Sequence, residues 1–231
     1  MSFTLIIPTY NEGKIIEKSI LKLENFLEKN KLNAEVIISD GGSMDDTLIK
    51  SKTLKKRYAN LELIERNSQT GKGKSIEEAI KKSNLKFIVF MDADLSVNLN
   101  SLPKILNYLK QNYDIVIGSR FNKNSEVKRK FTRKIISSVY SYMIRSLFGL
   151  KIKDYQCGFK GFNRKKIMPL LEKIENKDFF WDTELIIRGN AQGLKIKEFG
   201  VQWEETRNSN INILTTSMSF LKALVWLRLR I

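Results

Sequence analysis

The sequence predicts an α/β domain built on a mostly parallel central sheet flanked by helices. Short apolar runs alternate with longer segments of helical periodicity, and polar, glycine-bearing clusters follow the apolar runs directly. That order is the signature of crossover units, in which each strand is followed by a helix that returns the chain to the same sheet edge. Residues 3–7 read as the first strand and 15–29 as the first helix, then strand 35–39, helix 46–58 and strand 61–65. Helix 74–83, the fully apolar strand 87–91, helix 101–111 behind Pro103 and strand 115–117 continue the alternation. Residues 123–134 are basic and lack apolar periodicity, so a mobile loop leading into a helix is expected there. Residues 135–150 carry apolar side chains around much of a helical circumference, either as a core helix or as a face that meets lipid. Residues 213–231 resemble an interfacial helix, apolar at many positions but carrying Lys222, Arg228 and Arg230.

Composition narrows the chemistry. The chain has 231 residues, a formal charge of +16, one cysteine and no histidine. A single Cys157 excludes an intrachain disulfide framework, and the absence of histidine excludes zinc sites and imidazole bases. A metal must therefore sit on carboxylates, which select hard ions such as Mg2+ or Mn2+. The positive excess points to a polyanionic partner: nucleic acid, anionic lipid or a phosphorylated substrate. Nucleic acid is not expected, because no recognition module with interleaved basic and aromatic residues is found. Met1 leads straight into a strand-like FTLIIPTY without a basic and apolar leader, and no apolar run is long enough to span a bilayer. Cytoplasmic residence with peripheral membrane contact is the expectation.

Open sheets of this kind bind ligands beyond the carboxyl ends of their strands, so the residues there are the candidates for function. Asp92-Ala93-Asp94 follows the apolar strand FIVFM directly. Two carboxylates one residue apart at a strand end can share a divalent cation that also bridges two phosphates. Taken alone, Asp-x-Asp is often just a turn. Residues 8–13, PTYNEG, follow the first strand, and residues 40–47, DGGSMDDT, follow the second. Their glycines permit close backbone approach, while their acidic and aromatic groups suit a base and ribose; equally, both are turns in which Ser43 or Asp45 caps a helix. Gly71-Lys72-Gly73-Lys74 adds cations beside flexible backbone without the spacing of a Walker loop.

In this order, strand-PTYNE, DGGSMDDT, GKGK, MDADLS and GSR resemble the family 2 glycosyltransferases of GT-A fold. DYQCGFKGF at 154–162 and WDTEL at 181–185 are most similar to dolichyl-phosphate glucosyltransferases and related mannosyltransferases. The resemblance implies a GT-A domain over 1–210, with a nucleotide-sugar-binding half, 1–120, and an acceptor-binding half, 121–210. A membrane-surface helix over 211–231 would follow. It implies that Pro8, Tyr10, Glu12, Asp40, Lys72, Asp92 and Ala93 bind the donor and that Asp92 and Asp94 hold the metal. Ser96 stands where some relatives carry glutamine. Arg120 would reach a phosphate, and Arg133 and Ser137, four residues apart on one helical face, would receive the acceptor phosphate. Asp182 is assigned to the catalytic set through sugar contact or the start of its helix, and Glu184 to the same place or to a buried structural role. Arg207 and Ser209 fall in a segment that matches the family only loosely.

A lipid-phosphate acceptor also suits the residues present. A phosphate monoester is largely ionised near neutral pH, so it attacks an anomeric carbon without a strong base, and this chain has no histidine to supply one. The reading is an inverting transferase that moves a hexose or N-acetylhexosamine from a nucleotide diphosphate sugar to a polyprenyl or dolichyl phosphate at an anionic membrane surface, on its cytoplasmic face. UDP is favoured over GDP as the donor's nucleotide. The alternatives are transfer to a saccharide hydroxyl, for which a carboxylate near Asp182 would act as base, and a noncatalytic nucleotide- or membrane-binding module.

Overall fold

The structure, a computed structural model, describes the backbone of residues 1–128, 131–206 and 213–231, and the side chains of 1–128, 134–206 and 219–231. The chain runs β1 (Ser2–Thr9), α1 (Ile16–Lys29), β2 (Asn33–Asp40), α2 (Thr47–Arg57), β3 (Leu61–Ile64), α3 (Lys72–Lys82), β4 (Phe87–Met91) and α4 (Ser101–Lys110). It continues through β5 (Ile115–Ser119), β6 (Glu126–Lys128), α5 (Phe131–Phe148), β7 (Phe159–Asn163), α6 (Arg164–Leu171), α7 (Trp181–Ala191), β8 (Ile196–Gly200), β9 (Gln202–Glu204) and α8 (Ile213–Arg228). The main sheet has the order β3-β2-β1-β4-β7-β5-β8, and β6 pairs with β9 in a short second sheet. Every pairing in the main sheet is parallel except those of β7, which runs antiparallel to both β4 and β5.

Strand alternation sorts the core onto two faces. Phe3, Leu5 and Ile7 of β1 point to one side, where Ile16, Ile20 and Leu23 of α1 and Leu102 and Ile105 of α4 meet them. Ile6 of β1 and Ile88 and Phe90 of β4 point to the other, against Ile76 and Ile80 of α3, Trp181 and Leu185 of α7, and Phe220 and Leu224 of α8. A strand flanked by helices on both faces must be apolar at every position, which is why FIVFM carries no alternation. Through its buried side chains α8 shares a core with α7, so the C-terminal helix is packed onto the domain. Among the described residues no helix is long and apolar enough to cross a membrane.

Two differences from the sequence reading have clear causes. β7 was not expected, because FKGFN holds a lysine and a glycine where a central strand usually carries branched apolar residues. Gly161 is needed there: a Cβ would stand 2.9 Å from Ile105 Cγ1 of α4. The segment read as a mobile loop at 123–134 contains β6, whose partner β9 lies some seventy residues later and is invisible to local periodicity. Phe162 of β7 is fully buried, stacked on Phe90 at 6.0 Å and edge-on to Trp181 at 6.5 Å. Phe162→Ala is expected to cost about 3–5 kcal/mol of unfolding free energy in urea titrations.

Candidate active site

The carboxyl ends of β1, β2 and β4 form one edge of the sheet. Thr9 of β1 pairs with Asp40 of β2, and Ile6 pairs with Phe90, so Pro8 and Asp92 stand level at the same edge. Asp40 is fully buried and holds its own turn together. Its Oδ1 accepts from Thr9 Oγ1 at 3.1 Å and Ser43 Oγ at 2.5 Å, and its Oδ2 from the amides of Gly42 and Ser43 at 3.0 and 2.8 Å. Gly42 adopts φ +83°, and a Cβ would lie 2.3 Å from Ser68 O, so only glycine fits this turn. The 10–13 and 43–47 loops are laced together. Asn11 N donates to Ser43 Oγ, Glu12 N to Thr47 Oγ1 and Gly13 N to Asp45 Oδ2, at 2.9, 2.7 and 3.0 Å. Glu12 is buried at this seam and Tyr10 half-buried beside it. Ser43, read as a possible helix cap, instead bridges the two loops, whereas Asp45 does both: its Oδ2 takes Gly13 N and its Oδ1 accepts from the amide of Thr47, the first residue of α2, at 3.0 Å.

Beyond β4 the chain turns sharply. Leu95 has φ 49° and its amide donates to Asp92 O at 3.1 Å, while Ser96 N donates to Asp94 Oδ1 at 3.0 Å. Thr206 Oγ1 donates to Asp94 Oδ2 at 3.2 Å, tying the turn to the strand segment after β9. Ala93 between the two aspartates is buried and packs into the core, so both carboxylates are left on the outer side of the turn. Asp92 N donates to Gly158 O at 3.0 Å, and a Cβ on Gly158 would fall 1.8 Å from Asp92 Oδ2. Gly158 is therefore a cradle that the Asp92 carboxylate fills. Lys72 Nζ lies 2.5 Å from Asp92 Oδ1. Burial alone would lower the Lys72 ammonium, but Asp92, with Asp182 and Asp94 further off, outweighs it and holds the group above the usual lysine range.

The glycines around Lys72 have a role the sequence did not reveal. A Cβ on Gly71 would stand 2.2 Å from Lys177 O, and one on Gly73 2.3 Å from Trp181 Cβ. They admit the loop before α7. Lys74 N donates to Lys177 O at 2.9 Å, and Lys177 Nζ pairs with buried Glu77 of α3 at 2.7 Å. The first turn of α3 and the segment 177–181 are thus one packed unit.

Two buried ion pairs flank this unit. Arg120, expected to reach a phosphate, sets its Nε and Nη2 on Asp154 at 2.8 Å each, and its amide donates to Asp154 Oδ2 at 2.9 Å. Burial would raise Asp154, but Arg120 overrides it and holds the carboxyl below its usual range. Asp182, in the first turn of α7, accepts from Lys160 Nζ at 2.6 Å, and Lys160 also donates to Cys157 O at 2.7 Å. Lys160 and Asp154 were not singled out from the sequence. The signal was there: a lysine inside a glycine- and aromatic-flanked strand needs a buried partner. Glu184 is structural, accepting from the amides of Glu175 and Asn176 and from Arg188 Nε. Ser137 lies buried on α5. The side chain of Arg133 and all of Arg207 and Ser209 lie outside the described residues.

Breaking the Arg120 pair leaves an uncompensated buried charge, so Asp154→Ala is expected to cost about 3–5 kcal/mol in urea unfolding. Cys157 is buried, and that burial, with Asp154 nearby, pushes its thiol up to about 12. Since the thiolate is the reactive form, Ellman's reagent at pH 8 is expected to leave the folded protein unlabelled and to count one thiol after denaturation.

The comparisons with known proteins agree with this geometry. The glycosyl transferase family 2 model matches residues 4–171. The chain is 28% identical over 241 residues to the dolichyl-phosphate β-glucosyltransferase of Dictyostelium discoideum, covering 98% of itself and 74% of that protein. It is 27% identical over 216 residues to glycosyltransferase AglD of Haloferax volcanii, covering 91% of itself and only 34% of that protein. Glucosyl-3-phosphoglycerate synthase from Mycobacterium tuberculosis, solved with Mn2+, UDP and glucosyl-3-phosphoglycerate, superposes with a TM-score of 0.73 at 18% identity over 98% of this chain and 79% of that one. That likeness establishes the GT-A fold. With a strand edge that gathers paired aspartates, a lysine and two polar loops, and with the family model covering most of its length, the chain belongs to glycosyl transferase family 2.

Proposed function

We propose that this glycosyltransferase moves a hexose or N-acetylhexosamine from a nucleotide diphosphate sugar, uridine favoured over guanosine, to a polyprenyl phosphate of the dolichyl type. The observation that carries the reading is the Asp92-Ala93-Asp94 turn, with the Lys72 ammonium on Asp92, at the edge shared by the 8–12 and 40–43 loops. The likeness to dolichyl-phosphate β-glucosyltransferases supports the acceptor, and the fold neighbour solved with UDP supports the nucleotide.

Pro8, Tyr10, Glu12 and the Asp40 turn would receive the nucleoside, and Lys72 the diphosphate. The donor set suits a hard divalent ion: the Asp92 and Asp94 oxygens supply two carboxylates, and among the described residues no cluster of three or more ligating side chains encloses the ion without substrate. Mg2+ or Mn2+ bound there would neutralise the charge of the departing nucleotide. Lys72 is held protonated by its carboxylate neighbours and serves the same charge. The Arg120 guanidinium, anchored by Asp154, contributes its field to the cleft, and Arg133 and Ser137 would hold the acceptor phosphate. Asp182 is already engaged by Lys160, which suits an acceptor that arrives ionised better than one needing a base. Displacement by the phosphate oxygen on the face opposite the nucleotide inverts the anomeric centre.

Helix α5 supports the membrane part of the reading. It buries Ser137, Ser141 and Ile144 and exposes Ile135, Ile136, Val139 and Tyr142 beside Lys134 and Arg145, an outer face that mixes apolar and basic side chains. Leu221 and Val225 of α8 are exposed as well, with Lys222, Arg228 and Arg230 nearby. Such a surface fits peripheral docking on anionic headgroups at the cytoplasmic face, each near-surface cation adding about 1 kcal/mol.

Two measurements test the reading. Asp92→Asn with Asp94→Asn is expected to lower transfer by at least about 10²-fold and to weaken Mn2+-dependent UDP binding in calorimetry. Arg133→Ala is expected to abolish most transfer to a polyprenyl phosphate while leaving UDP affinity unchanged; transfer to a saccharide hydroxyl that survives the substitution would overturn the phosphate acceptor.

A further inference from the structure

We infer that the ring of Phe179 is the wall against which the transferred sugar packs, a specificity-determining contact for the reaction; this rests on the donor reading given above. Phe179 is 39% exposed, whereas Phe180 and Trp181, next in the chain, are 2% and 0% exposed. Its position is fixed by its neighbours: Trp181 and the Lys177 and Asp178 backbone sit on Gly71 and Gly73, where no side chain would fit. Of three consecutive aromatic rings on this pinned segment, Phe179 alone is left open to solvent, on the side where Lys72 and Asp92 lie.

The occupant follows from what stands next to it. Lys72 Nζ lies 6.0 Å from the Phe179 ring centroid, 5.9 Å from that of Phe90 and 2.5 Å from Asp92 Oδ1. One ammonium therefore separates the exposed ring from the carboxylate that would receive the diphosphate. The sugar hangs directly from the second phosphate of the donor, so it must lie within one sugar length of that position. A hexopyranose has an apolar C–H face that packs on an aromatic ring, and pockets for polar ligands commonly join such a wall to a few fixed polar groups. The ring face also carries the partial negative charge that favours a cation, as its contact with Lys72 shows. Positive charge develops on the anomeric carbon during displacement, so the same face stabilises the sugar as its bond to phosphate breaks.

A sugar wall affects the sugar nucleotide and not the nucleotide alone, and that difference is the test. Calorimetry with Mn2+ compares UDP with UDP-glucose, and GDP with GDP-mannose, on the wild type, Phe179→Ala and Phe179→Trp; the pair that the wild type binds is the informative one. Phe179→Ala is expected to keep nucleotide affinity within about twofold and to weaken sugar-nucleotide affinity by about three- to tenfold, with Phe179→Trp restoring it. Equal loss for nucleotide and sugar nucleotide would overturn the inference in favour of a packing role. So would unchanged affinity for both combined with weaker binding to anionic vesicles, which would make the ring a lipid contact. A wild type that binds none of the four ligands would overturn the donor reading itself, whereas normal nucleotide binding with no sugar-specific loss would overturn only the role of Phe179.

Discussion

Strand β7 enters the middle of a parallel sheet against the direction of its neighbours, and the charges of the candidate site are arranged around it. Its first residue, Phe159, pairs with Met91, so the residue before it cradles Asp92 and the residue after it reaches Asp182. Asp154, a few residues earlier, takes the Arg120 guanidinium at the end of β5. One antiparallel insertion from the second half of the chain therefore fixes groups that the first half presents. It joins Asp92 to the start of α7, as the first turn of α3 does from the other side through Lys72 and Gly73.

This support is expensive. Lys160 is fully buried and Asp154 nearly so, and each charge is tolerated because a partner and further hydrogen bonds replace its water. Such pairs contribute little net stability compared with apolar residues of the same volume. What they supply here is a fixed field: alternating cations and carboxylates held by backbone, beside the Asp92-Ala93-Asp94 turn. Under the proposed function, charges preset in this way would reorganise little on substrate binding, which is where electrostatic catalysis gains most.

Much of the fold was legible in the sequence because its first half is made of crossover units with strong periodicity. Strand 87–91 and the helices before it fall at or within a few residues of their expected bounds, and the Asp92-Ala93-Asp94 turn lies where the apolar run ends. What was not legible depends on pairing over long separations. β7 hides behind Lys160 and Gly161, whose neighbours come from α7 and α4, and β6 needs β9. The glycines at 71 and 73 signal close approach without saying what approaches, and the fold shows that the loop before α7 does. Arg120 was found by its position after a strand, while its commitment to Asp154 required the fold to bring two distant segments together.

The outward isoleucines of α5 also bear on how the molecule behaves in solution. Copies that meet through such faces would bury apolar area and adhere, and what opposes this is mutual repulsion from a formal charge of +16. That repulsion reaches about 30 Å in 0.01 M salt but only about 10 Å in 0.1 M. Dispersal in water would then depend on ionic strength, with dilute buffer keeping copies apart and added salt letting the greasy sides find each other.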